Sequence, residues 1–126
     1  MHNYNNGSKL SVILVMLKVI KQHDPRLATD VCRYRLRLPD VHAIGVILRF
    51  VKENNLVTLA PVMMERLTAE QYAYQIFQLS QVLLHFKDKA LNRQVADVLR
   101  AKRSVWEQGN RKKSFNNLLK ENDIIL

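Results

Sequence analysis

Two segments with apolar residues at helical spacing, Arg26–Arg35 and Val41–Glu53, are joined only by Leu36-Arg37-Leu38-Pro39. A link that short admits a tight helix–helix turn and little else. Pro39 crowds the residue before it and disfavours helical geometry at Leu38, so the first helix must stop there. Asp40 then offers a carboxylate to the unpaired amides of the next first turn. In the second segment Ile44, Ile47, Leu48 and Val51 form the inward stripe. Asn54-Asn55 ends it, because Asn tolerates the left-handed C-terminal position almost as Gly does. Leu56-Val57-Thr58-Leu59 reads as a strand, with Glu65–Thr68 expected to return beside it.

The flanks of this corner are also patterned. Residues 1–7 are polar and expected to be mobile. Ser8 is a candidate cap for a helix reaching about Gln22. Leu10, Ile13, Leu14, Leu17 and Ile20 mark one of its faces, and Val12, Val15, Met16 and Val19 line much of the other. A helix so apolar needs cover on more than one side. Beyond the corner, Thr68 with Gln71 resembles a capping box. Tyr72, Ile76, Leu79, Leu83 and Phe86 then recur in steps of four and three, the spacing of a coiled-coil seam, and are assigned to a homodimer interface, with packing on the Ser8–Gln22 helix of the same chain as the alternative. The phase shifts after Lys87-Asp88-Lys89 to Leu91, Val95 and Val98 or Leu99, so a break or bend is expected near Lys87–Asn92. The division is therefore 1–7, a domain at 8–68, a helical dimerisation segment at 69–109, and a basic, partly amphipathic tail at 110–126.

Charge narrows the classes of partner. The 126 residues carry 20 basic and 11 acidic side chains, a net +9 shared by both halves. Such a surface attracts polyanions and makes binding depend on salt through counterion release. The single cysteine, Cys32, excludes an intramolecular disulfide and suits a reducing cytoplasm. The apolar run Leu10–Leu17 is far short of the ~18 residues a membrane span needs, so no membrane association is expected. His2, His23, His42 and His85 lack metal-ligand spacing, and Gly7, Gly45 and Gly109 form no phosphate loop. No carboxylate pair suggests acid–base catalysis. Neither an enzyme, a metal nor a cofactor is expected.

A helix, a short turn holding the apolar Leu38, a second helix, then "VKENNLV" and a return through "RLT" is similar to the winged helix-turn-helix of bacterial and phage transcriptional regulators. The resemblance covers residues from about 10 to 69. It implies a mostly α fold with a short β-hairpin wing, followed by a long C-terminal helical segment. It also implies a DNA-binding regulator. With the apolar helices needing a second copy for cover, the expectation is a sequence-specific transcriptional or replication regulator of a bacterium, phage or plasmid, acting as a homodimer on a pseudo-palindromic site in double-stranded DNA. Arg33, Arg35, Arg37 and Arg66 would then hold phosphates, while His42, Gly45, Val46 and Arg49 would meet base edges. The second hypothesis is a protein-interaction adaptor. The wing region Ala60-Pro61-Val62-Met63-Met64 lacks the Lys or Arg of a DNA-binding wing, and with Val46 it could grip a replication or transcription protein.

Overall fold

The computed structural model describes residues 2–38 and 44–126, with side chains from Val12 onward. It is 80% helical, and no strand occurs among the described residues. By internal contacts the chain divides into two compact units, 1–62 and 63–126.

In the first unit α1 (His2–His23), α2 (Pro25–Arg37) and α3 (Ile44–Glu53) pack pairwise against one another. The Asp24 carboxylate caps α2 by accepting the Leu27 N–H at 3.2 Å, and Pro25 takes the first turn, where a missing N–H leaves nothing unpaired. Ala28, Cys32 and Leu36 are its buried face. Leu38 is extended, with φ −79° and ψ 143°, as the residue before a proline should be. The expected Asp40 cap lies outside the described residues. Half of α3 is interior: Ile44, Ile47, Leu48, Phe50 and Val51 are buried. The helix closes as the paired asparagines imply. Asn55 adopts φ 49°, the Leu56 N–H reaches back to the Val51 carbonyl at 3.1 Å, and the Asn54 side-chain amide donates to the Phe50 carbonyl.

The β-hairpin wing is not present. Val57–Leu59 form a single 3-10 turn that runs into α4 (Ala60–Ala69), and the division between units falls inside this helix. Spacing explains the correction. Leu59, Val62, Met63 and Leu67 recur at helical intervals and all are buried, and Pro61 falls in the first turn, where it is tolerated. The β-propensity of Leu56–Leu59 is a weak preference that burial on one helical face overrides. Thr68 is likewise not an N-cap, since its hydroxyl donates to the Met64 carbonyl within α4.

The C-terminal helical segment consists of four helices, α5 (Ala73–His85), α6 (Lys89–Ala101), α7 (Arg103–Trp106) and α8 (Lys112–Glu121). The break falls inside the interval the phase shift marked. Lys87 turns the chain at φ 55°, and the Asp88 carboxylate accepts the Leu91 N–H at 2.8 Å to start α6. Lys87→Gly should raise stability by up to about 1 kcal/mol, because Gly adopts this angle without the Cβ clash. Urea unfolding of the two proteins side by side measures it.

An aromatic cluster anchors this second unit. Trp106 stacks on Phe115 with ring centroids 5.0 Å apart, and Phe77 meets Phe115 edge-on at 5.3 Å. The Trp106 indole N–H donates to the Leu99 carbonyl at 2.8 Å, so a large apolar ring is buried without stranding its one polar atom. Glu70 organises the turn from α4 to α5. Its carboxylate accepts the N–H groups of Gln71 and Tyr72 and lies 3.5 Å from the Arg66 guanidinium, while the Lys102 ammonium donates to its carbonyl at 2.7 Å.

Burial in the first unit pushes the Cys32 thiol up to about 11. The native state thus holds the neutral thiol where the unfolded chain would ionise. The resulting stability is full below pH ~9 and is lost as pH rises through 11, about 3 kcal/mol in all. Thermal unfolding of native protein and Cys32→Ala should converge over that window, and alkylation of Cys32 should be slow until the unit unfolds.

Candidate nucleic-acid interface

Residues i, i+4, i+7 and i+11 of a helix share one face. On α2 this rule aligns Arg26, Asp30, Arg33 and Arg37. Arg26 and Arg37 are exposed and meet no acidic side chain among the described residues. Arg33 is half-buried, its guanidinium 2.6 Å from the Asp30 carboxylate. Arg35 points toward a different side of the helix and is also half-buried. Tyr34, 63% exposed, stands at the margin of the arginine face. The result is three guanidinium groups along one open helix face, offset by a single carboxylate.

The candidate reading edge of α3 is weaker. His42 lies outside the described residues. Gly45 and Val46 are half-buried. Arg49 is exposed, but its Nε donates to the Glu53 carboxylate at 2.9 Å. That hydrogen bond, the Arg49 charge and Lys18 nearby hold the Glu53 carboxyl below the usual carboxylate range. An ionised Glu53 on this edge repels phosphate and competes for the one arginine that would read a base. Beside it, Lys21 donates to the Asn54 side-chain oxygen, tying α1 to the end of α3.

The remaining sequence-assigned residues are scattered. Arg66 is 12% exposed in its pair with Glu70, an interior position where phosphate has little access. Ile76, Leu79 and Leu83 have no exposure at all, and Phe86 is half-buried, so the seam faces the chain's own interior. Only Tyr72, at 65%, stands out from it. Of the residues given to the adaptor reading, Val62 and Met63 are buried and Val46 and Met64 half-buried. Arg26 is the functional candidate that the sequence reading passed over. Its spacing of seven and eleven from Arg33 and Arg37 was the available signal.

Among the described residues no group of His, Cys, Asp or Glu could hold a metal ion, and no helix is long and apolar enough to cross a membrane. No family model matches the chain, and no curated protein or solved structure shows significant similarity to it.

Proposed function

We propose that this protein binds double-stranded DNA through the arginine face of α2, with phosphate contacts supplying most of the affinity. The observation that carries this reading is the alignment of Arg26, Arg33 and Arg37 on one open face with only Asp30 among them. An α-helix fits the major groove, and guanidinium groups suit both bidentate phosphate contact and the acceptors of guanine. The face carries no Asn or Gln to read adenine, so discrimination among sequences should be modest. Regulation by occupancy of a site, in transcription or replication, is the role that follows.

Titration of the full chain with a random duplex, followed by backbone amide shifts, tests the placement. The largest shifts should fall on Arg26, Arg33, Arg37 and their neighbours. Shifts centred on Gly45–Arg49 would transfer the contact to α3, and no saturable shifts would reject the reading.

One observation favours a second reading, a protein-interaction adaptor. Val12, Val15, Met16 and Val19 are each about half exposed on one face of α1, a stripe with no charged residue in it. Such a stripe gives nothing to phosphate and suits an apolar protein surface.

A further inference from the structure

The α6 groove of the second unit offers a chemistry that DNA binding does not use. Lys89, Arg93 and Arg100 fall on one face of α6 with the small Ala96 between them, spanning about 16 Å at the helical rise. They line an open groove of about 620 Å³ together with the C-terminal segment that holds Ile124 and Ile125. Lys89 and Arg93 are exposed and have no acidic partner among the described residues, whereas Arg100 is held by Asp97 at 2.9 Å. Ile125 is 94% exposed, a branched aliphatic side chain left in water at the edge of a cationic wall.

Two features argue against phosphate here. The carboxylates of Asp97 and Asp123 interrupt the cationic wall, that of Asp97 being 74% exposed, which suits the separated carboxylates of a peptide set opposite Lys89 and Arg93 and not the unbroken charge of a nucleic-acid backbone. The apolar surface of Ile124 and Ile125 has no use in contact with phosphate. A peptide meets both demands. Carboxylates one helical turn apart would pair with Lys89 and Arg93, and aliphatic side chains between them would cover Ile125.

We propose that this groove docks an acidic, aliphatic-rich segment of a partner protein. The site is independent of α2, so a single chain would hold DNA on one unit and a protein segment on the other.

The test is direct binding of the full chain to a panel of synthetic helical peptides of about 15 residues built from Glu, Leu and Ala, each with a Gln-for-Glu copy. Acidic peptides should bind and their Gln copies should bind about ten-fold more weakly or not at all. Arg93→Glu should weaken the acidic peptides about ten-fold, and Ile125→Ser should weaken them with no change in the charge of the groove. Arg37→Glu should leave peptide binding unchanged, which separates this site from the DNA reading. Failure of every acidic peptide, equal binding of the Gln copies, or indifference to both Arg93→Glu and Ile125→Ser would overturn the proposal. A loss of duplex affinity in Arg93→Glu as large as that in Arg37→Glu would overturn it in favour of nucleic acid.

Discussion

Trp106→Ala should unfold the second unit under conditions where the native protein is folded. The ring is 1% exposed, stacked on Phe115, and its N–H satisfies the Leu99 carbonyl near the end of α6. Truncating a buried Trp costs about 3–5 kcal/mol through lost apolar burial and the cavity left behind. The stranded carbonyl adds to that cost. A unit of this size has only ~3–10 kcal/mol of stability in total, so the loss takes most of it. Trp106→Phe isolates the polar part, because it keeps much of the stack and removes only the donor, and should cost about 1–2 kcal/mol beyond the small change in volume. Guanidinium unfolding followed by far-ultraviolet circular dichroism measures both variants. In the native protein Trp106 is the sole tryptophan, so its fluorescence reports the second unit alone.

The second large effect concerns α2. Arg26→Ala, Arg33→Ala and Arg37→Ala combined should weaken binding to random duplex DNA about 100-fold at low salt, with little change in fold. None of the three lies in the core, and only Arg33 gives up an ion pair, an intrahelical one with Asp30 of the kind worth a few tenths of a kcal/mol. A parallel triple change at Arg49, Lys52 and Lys18 should cost far less, because Glu53 already offsets that edge. Fluorescence anisotropy with a labelled duplex compares the two.

How much of this was legible in the sequence depends on whether a local signal matched its tertiary use. Leu38 before Pro39, Asn54-Asn55 and Asp88 each act through one residue's own backbone or side chain, and the chain stops and starts where they stand. The segment from Leu56 to Thr68 failed because β-branched Val57 and Thr58 outweighed the helical interval from Leu59 through Val62, Met63 and Leu67. The seam Ile76, Leu79, Leu83 has one pattern for two outcomes, since a stripe that packs inside a subunit and one that packs across a dimer share the same period. Trp106 and Phe115 lie nine residues apart on different helices, so no single helical interval marked their stacking. The arginine face was half visible. Arg33, Arg35 and Arg37 stood out as a cluster in the sequence, whereas the face itself is set by Arg26, Arg33 and Arg37.

The most direct test of the account is the salt dependence of random-duplex binding by the full chain, native and with Arg26, Arg33 and Arg37 all changed to Ala. Log affinity of the native protein should fall linearly with log salt, and the triple variant should flatten that slope by about 2–3, roughly 0.9 for each phosphate contact removed. Parallel lines for the two proteins would show that α2 does not meet the duplex, and the DNA reading would be wrong.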